Sequence, residues 1–177
     1  MKYIYLIFAG FGISFVHLYL YWRNRRANRY SLSEYAISDC HSQITYFLAH
    51  LLCDVLFTLY SYQLFIVEND LPLAFYLNII FVVLDFLQAA LPSRGKTETM
   101  HFAAAYISWV SYLTVGVLVF FKLPVAEPYR TFASMLLLPI LGMFVYMHFK
   151  RVKLYPYQLA IVPLFVIYML IVTLGNG

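Results

Sequence analysis

Hydrophobic residues occur along this chain in six long runs, separated by short polar segments. A helix needs about 20 apolar residues to cross a bilayer core about 30 Å thick, and each run approaches that length. The pattern therefore predicts one all-α domain over 1–177, an integral membrane bundle with no room for a soluble domain. The six transmembrane helices are predicted at residues 3–22, 44–66, 71–91, 101–121, 131–148 and 158–174.

Two other interpretations of the apolar runs are less consistent with the pattern. A membrane β-barrel would show segments of about 10 residues that alternate in polarity, whereas the run from Leu159 to Leu174 is unbroken. The first run follows Lys2 as a signal peptide would, but it has no small-residue cleavage site and ends in Trp22 before an arginine cluster. We therefore expect a retained first helix.

The composition agrees with a membrane protein. Of 177 residues, 63% are hydrophobic and 11% are charged, whereas soluble domains are about 45–50% apolar and about 25% charged. The net charge of +4 arises in short loops, so it reflects membrane topology and no nucleic-acid partner is expected. The pattern is typical of a bacterial inner membrane or a eukaryotic endomembrane. Cys40 in a loop and Cys53 inside a helix are not expected to form a disulfide.

The distribution of Lys and Arg predicts the orientation, because the more basic loops stay in the cytoplasm. Only Lys2, Lys122 and Arg130 lie on the side of the termini and of the second and fourth loops. Both termini are therefore expected on the non-cytoplasmic side. The first, third and fifth loops carry the other basic residues, which are Arg23, Arg25, Arg26, Arg29, Arg94, Lys96, Lys150, Arg151 and Lys153.

The first loop, from Arg23 to about Gln43, is the longest. Two interpretations of it are open. Ser33 could cap a short helix through Tyr35 and Ala36 whose apolar side chains lie along the membrane surface. Alternatively, the segment is a solvated connector.

Polar residues recur at helical spacing within three of the predicted helices. Because ionisable side chains are costly in a bilayer, such faces are expected to point into the bundle and pack against one another. With the predicted orientation, the histidines and both intramembrane aspartates lie at or within the cytoplasmic half. The three faces are Tyr46, His50, Asp54, Thr58 and Ser61 on helix two; Asn78, Asp85 and Gln88 on helix three; and His101, Ser108, Ser111 and Tyr112 on helix four.

The spacing of His50 and Asp54 suggests acid–base chemistry. At i and i+4 a carboxylate can bond an imidazole, fix its tautomer and raise its basicity. We therefore take His50 and Asp54 as candidate catalytic residues. The neighbouring polar faces supply candidate ligand-binding residues, which are Tyr46, Asp85, Gln88, His101 and Ser108.

A zinc site is a further hypothesis. Zinc takes three or four ligands from His, Cys, Asp or Glu, and His17, His50, Asp85 and His101 could supply them if their helices converge. The spacing contains no HExxH or paired HxxxH signature.

The sequence leaves three functions open, and it does not decide whether the protein is an enzyme. The polar cluster could bind a membrane lipid headgroup or another small amphiphile and act on it. The chain could instead be a non-catalytic subunit or scaffold, with partner membrane proteins or a homo-oligomer. Chained Asp and His residues are also typical of proton- or ion-coupled transporters.

Two segments resemble a known group. Tyr30–Ser38 (YSLSEYAIS) resembles the S-I-S-[D/E] segment of the Frag/DRAM/Sfk group of six-helix membrane proteins and of related bacterial proteins of unassigned function. Ala90–Ala105 (ALPSRGKTETMHFAAA) is similar to that group's junction between helices three and four. The resemblance implies six helices and marks Ser31, Ser33, Glu34 and His101. It also implies a first loop on the non-cytoplasmic side, opposite to the charge distribution, and links to lipid-anchor remodelling or autophagy.

Overall fold

The computed structural model describes residues 2–27, 29–91, 95–150 and 153–176. Within these ranges the chain is all-α and has no strand. Its α-helices in chain order are α1 (Lys2–Asn24), α2 (Leu32–Ala36), α3 (Cys40–Ser61), α4 (Pro72–Ala90), α5 (Glu98–Lys122), α6 (Tyr129–Lys150) and α7 (Tyr155–Gly175).

Six helices are long and apolar enough to cross a membrane, which confirms the six predicted segments. The observed ends differ from the predicted ones by a few residues. The largest extension is at α3, which begins at Cys40 and continues beyond Ser61 as a π-helix over Tyr62–Glu68. Arg94 and Arg151, which contribute to the predicted charge asymmetry, lie outside the described residues.

The six spanning helices alternate in direction, so the first and fifth loops meet at one end of the bundle. The backbone N–H groups of Leu154 and Tyr155 donate to the carbonyl oxygen of Tyr30 at 2.8 and 3.2 Å. At the opposite end, Nδ2 of Asn176 donates to Oδ1 of Asn69 at 3.1 Å. We call the end with the first, third and fifth loops the basic end.

The helices do not pack equally closely. The backbone of α1 packs against α3 and α7, that of α4 against α5 and α3, and that of α6 against α7. The backbone of α5 approaches those of α6 and α7 at few points, and its contact with α7 is made by side chains such as Tyr112 on Phe165. Gly10 lets α1 approach α7 closely, because a Cβ there would overlap the side chain of Val166. Fully buried core side chains lie mainly towards the end opposite the basic end, namely Tyr60, Leu64, Phe65, Val119, Phe165, Tyr168, Met169 and Val172.

The first loop folds into the bundle. The predicted short helix through Tyr35 and Ala36 is confirmed as α2, whereas its predicted cap, its position along the membrane surface and the alternative of a solvated connector are wrong. Ser31, not Ser33, is the N-cap of α2, and its side chain makes no capping hydrogen bond. Leu32, Ser33 and Tyr35 are buried, so α2 neither lies along the membrane surface nor connects through solvent. The N–H of Leu32 donates to Oε1 of Gln158 on α7 at 3.0 Å. The polar backbone of this segment is thus satisfied by the bundle, which explains its burial.

Asp39 then redirects the chain into α3. Its Oδ1 accepts from the N–H of Ser42 and its Oδ2 accepts from the Ser42 hydroxyl, both at 2.8 Å. This is an N-cap, in which a carboxylate satisfies a free helix N–H. The two hydrogen bonds stabilise the carboxylate and lower the pKa of Asp39. The cap fixes where α3 begins and therefore which α3 residues face the interior.

Candidate functional site

His50 of α3 lies at the centre of a group of buried polar side chains. Its Nδ1 lies 2.5 Å from Oδ2 of Asp85 on α4, and its Nε2 lies 3.2 Å from Nε2 of His17 on α1. Oδ1 of Asp85 accepts from Nε2 of Gln88, one turn further along α4, at 2.5 Å. All four residues are buried. One set of hydrogen bonds therefore joins three of the six long apolar helices.

His101 extends this set onto α5 and α2. Its Nδ1 lies 2.9 Å from the carbonyl oxygens of Gln88 and Leu91, and its Nε2 lies 3.0 Å from Oγ of Ser33. Oγ of Ser33 lies 3.0 Å from Oγ of Ser31. We call this continuous set the polar network, and its members are Ser31, Ser33, His101, Gln88, Asp85, His50 and His17.

Aromatic packing holds the imidazoles of the polar network in place. The ring of Tyr46, one turn before His50 on α3, lies 4.2 Å from the His50 ring and 5.9 Å from the His17 ring, measured between centroids. The helical spacing of Tyr46, His50 and Asp54 places all three on the buried face of α3, as the sequence predicts. Tyr46 therefore limits how far the two imidazoles can rotate.

The hydrogen-bond partners assign the ring hydrogens. Carboxylate and carbonyl oxygens only accept hydrogen bonds, so Nδ1 carries the hydrogen in both His50 and His101. One of the two Nε2 atoms of His50 and His17 donates to the other, and Nδ1 of His17 takes no part in that contact. That Nδ1 is buried and has no hydrogen-bond partner among the described residues. His17 therefore offers an unpartnered ring nitrogen to a ligand.

Asp54 is the second buried group with unused hydrogen-bonding capacity. The predicted bond between His50 and Asp54 is wrong, because the two nitrogens of His50 face Asp85 and His17. Asp54 lies beside Asp85, and its Oδ2 has no hydrogen-bond partner among the described residues. A buried carboxyl oxygen without a donor is costly. Asp54 is thus suited to a ligand that brings a donor.

These groups face a cavity of about 450 Å³ inside the bundle, which we call the central cavity. All six spanning helices and the segment Tyr30–Ser33 contribute to its walls. One wall is polar and carries the His and Asp side chains described above. The other walls are apolar and include Leu6, Ile13, Phe81, Trp109, Val162 and Val166.

The charge of the cavity lining is unusual for a site that binds phosphate. Two carboxyl groups, Asp54 and Asp85, face the central cavity, and no Lys or Arg lies among the described residues that line it. Sites for phosphate or carboxylate generally use Arg, Lys or several free backbone N–H groups. The lining therefore favours a neutral or cationic polar group over an anionic one.

The structure places most of the predicted ligand-binding residues together. Tyr46, Asp85, Gln88 and His101 all line the central cavity. Ser108 does not, because it faces its own helix and its Oγ donates to the carbonyl oxygen of Ala105 at 3.0 Å. The helical spacing of polar residues on α5 correctly predicts that Ser108 is buried. It does not show that the Ser108 hydroxyl bonds the backbone of its own helix, as Ser in a helix often does.

The proposed zinc ligands do not form a metal site in the described part of the chain. His17, His50 and Asp85 are in contact. The atoms that face each other are hydrogen-bonded to one another, so they are not arranged around a shared metal position. Both nitrogens of His101 are engaged by Ser33 and by carbonyl oxygens. No group of three or more His, Cys, Asp or Glu among the described residues is arranged to hold a metal ion. The zinc hypothesis therefore stays a prediction from the sequence.

Comparisons with known proteins do not identify the site. No protein-family model, no curated protein and no solved structure matches the chain. The resemblance of Tyr30–Ser38 and Ala90–Ala105 to the Frag/DRAM/Sfk group therefore stays an expectation.

Sequence reasoning from helical spacing missed several polar contacts. Ser31 and Ser33 join the polar network from a loop, where helical periodicity gives no signal. Tyr60 and Thr173 form a buried pair between α3 and α7, with their hydroxyl oxygens 2.7 Å apart. In the sequence, Thr173 is a single weakly polar residue within an apolar run, so only the tertiary structure shows its partner.

We predict different stability effects for the two intramembrane aspartates. Asp85→Asn replaces a carboxylate that accepts from His50 and Gln88 with an amide, and should lower the free energy of unfolding by about 1–2 kcal/mol. Asp54→Asn is the matched control and should change it by less than about 0.5 kcal/mol, because the amide can keep the hydrogen bond with Asp85 and Oδ2 of Asp54 has no partner among the described residues. Denaturant unfolding of both variants in one detergent measures the difference, and equal destabilisation would contradict the assigned partners.

Proposed function

We propose that this integral membrane protein binds a single-chain amphiphile in the central cavity, with the polar end of the ligand against His17 and Asp54. The observation that carries the proposal is a pair of buried polar atoms in the polar wall of the central cavity, Nδ1 of His17 and Oδ2 of Asp54, for which the described residues supply no partner. Buried polar groups are nearly always hydrogen-bonded. A bound polar group would supply the missing partners.

The size and lining of the cavity suit a ligand with a hydrocarbon part. A volume of about 450 Å³ lies within the range of about 300–1,000 Å³ that is usual for small-molecule sites. The apolar walls, including Phe81, Trp109 and Val162, would cover an alkyl chain. Burial of each CH₂ group contributes about 0.8 kcal/mol relative to water, so a chain of moderate length would supply most of the affinity.

The polar wall indicates the chemistry of the head group. Oδ2 of Asp54 calls for a donor, and an amine or a hydroxyl is a donor. A hydroxyl both donates and accepts, so it can bond Nδ1 of His17 whether or not that nitrogen carries the hydrogen. Because no Lys or Arg lines the described cavity wall, a phosphate or carboxylate beside Asp54 and Asp85 would be repelled. An amphiphile with an amine or hydroxyl head group fits best.

The packing of α5 suggests how such a ligand enters. The backbone of α5 approaches that of α6 at few points, although it packs closely on α4. Exposed Tyr106 on α5 and Phe144 on α6 line the cavity at this border, with ring centroids 6.3 Å apart. Separation of this ring pair would open the cavity sideways to the hydrocarbon core of the membrane. An amphiphile that enters laterally does not expose its hydrocarbon chain to water.

The distribution of basic residues supports an orientation for this site. We propose that the basic end faces the cytoplasm and that both termini lie on the other side, as the positive-inside rule favours. The polar wall then lies in the cytoplasmic half of the membrane. The ligand would be taken from the cytoplasmic leaflet.

Head-group selectivity tests the proposed function. We expect 12-bromododecylamine and 12-bromododecanol to quench Trp109 saturably in nanodiscs containing the Trp22→Phe variant, whereas 12-bromododecyl phosphate should not. Asp54→Asn in this background should weaken binding of the amine at least about tenfold, since a hydrogen bond to a charged group is worth about 1.5–3 kcal/mol. Equal quenching by all three head groups would contradict the proposal.

A matched pair of alanine variants separates cavity binding from probe dissolved in the bilayer. Ala105 lines the central cavity, whereas Ala103 is exposed on the same helix. Ala105→Phe should abolish saturable quenching and Ala103→Phe should preserve it. If the protein serves only as a scaffold, neither variant will change the quenching curve.

The orientation has a separate test in the native cysteines. Cys40 is exposed at the basic end, whereas Cys53 is buried. In intact cells a membrane-impermeant maleimide should leave Cys40 unlabelled, and permeabilisation should allow labelling that is lost in Cys40→Ser. Labelling of Cys40 in intact cells would reverse the proposed orientation and would agree with the Frag/DRAM/Sfk-like topology.

A further inference from the structure

The contact between Ser33 and His101 holds α2 against α5, and it also pairs a hydroxyl with an imidazole nitrogen. We propose that Ser33 is a nucleophile, with His101 as its general base, that takes an acyl group from a carboxylic ester lodged in the central cavity. This inference rests on the proposed function, because the ester is a ligand of that cavity. The proposed function uses His17 and Asp54 to bind the head group. The inference assigns a reaction to Ser33 and His101, which lie in another part of the polar wall.

The geometry is that of an activated serine. A nucleophile of this kind needs a hydroxyl within hydrogen-bond reach of a base, and a third group that orients the base. Oγ of Ser33 lies 3.0 Å from Nε2 of His101. The carbonyl oxygens of Gln88 and Leu91, each 2.9 Å from Nδ1, orient the imidazole. Because Nδ1 carries a hydrogen towards the carbonyl oxygens, Nε2 is the ring nitrogen placed to accept the serine proton.

The hydrogen bonds leave an electron pair on Ser33 for attack. Ser33 donates its one hydrogen to His101, so the neighbouring Ser31 hydroxyl must donate to Oγ of Ser33 across their 3.0 Å contact. A hydroxyl oxygen has two lone pairs, and one therefore remains. Ser33 and His101 are only 7% and 2% exposed, yet both line the central cavity. The hydroxyl faces the cavity contents rather than bulk water.

The reaction balances with groups that are named here and with water. Oγ of Ser33 forms a bond to the ester carbonyl carbon while its proton passes to Nε2 of His101. The C–O bond to the alcohol then breaks, and the alcohol leaves with the proton from Nε2. Water from the basic end, where Tyr30 is exposed, adds to the acyl carbon and gives its proton to Nε2. The bond to Ser33 breaks, Oγ recovers that proton, and a carboxylic acid is released.

The polar and apolar walls suggest the class of ester. The acyl chain would lie against apolar residues of the cavity, and the alcohol part would carry the hydroxyl or amine that faces His17 and Asp54. The substrate class is therefore a fatty-acid ester of an amino alcohol or polyol without a phosphate group. The absence of Lys and Arg from the described cavity lining argues against a phosphate.

A serine-directed probe tests the nucleophile without knowledge of the natural ester. We expect a biotinylated alkyl fluorophosphonate to label the full-length protein in detergent at Ser33, with the position located by peptide mass spectrometry. Labelling should be lost in Ser33→Ala and slowed at least about 100-fold in His101→Gln, since a general base contributes about 10²–10⁴-fold. Ser108→Ala is the matched control, because Ser108 is equally buried but bonds its own helix, and should label at the wild-type rate.

The outcomes separate this inference from the proposed function. Quenching of Trp109 by 12-bromododecylamine, measured on each variant, shows whether its cavity is intact. If Ser33 stays unlabelled while the amine binds normally, the nucleophile is overturned and the proposed function stands. Labelling of Ser33 that is equally fast in an intact His101→Gln variant also overturns it. Labelling of Ser33 without amine binding would support the nucleophile and overturn the assigned head group.

Discussion

The hydrogen bond between His50 and Asp85 is the interaction on which the rest of the site depends. It joins α3 to α4 in the buried interior, where an unpaired carboxylate would be costly. It also orients the His50 ring, whose Nε2 contacts Nε2 of His17 and leaves Nδ1 of His17 without a partner among the described residues. Through Gln88, the same carboxylate is linked to His101 and the first loop. A single buried acceptor thus organises residues from five helices.

This arrangement explains why the bundle keeps a cavity instead of closing on itself. The half of the molecule away from the basic end is filled by aromatic and aliphatic side chains such as Phe165 and Tyr168, which are fully buried. In the other half, the polar network occupies one wall, and its members satisfy one another apart from Nδ1 of His17. Within the described part of the chain, that nitrogen and Oδ2 of Asp54 have no partner. In the proposed function, a ligand reaches them between α5 and α6.

The sequence predicted the fold well, because six apolar runs of membrane-spanning length leave few alternatives. Helical spacing also placed Tyr46, His50 and Asp85 on buried faces. It did not predict that His50 pairs with Asp85, since i and i+4 neighbours on one helix need not point at each other when another helix offers a better acceptor. Nor could it place Ser33, because the burial of a loop depends on partners such as Gln158, which is 126 residues away.

A density map of the protein purified in its native lipids would show directly whether the central cavity holds an amphiphile. We expect elongated density in the central cavity, with its polar end within hydrogen-bond distance of Nδ1 of His17 and Oδ2 of Asp54. A cavity closed by its own side chains, or one holding only ordered water between those two atoms, would contradict it.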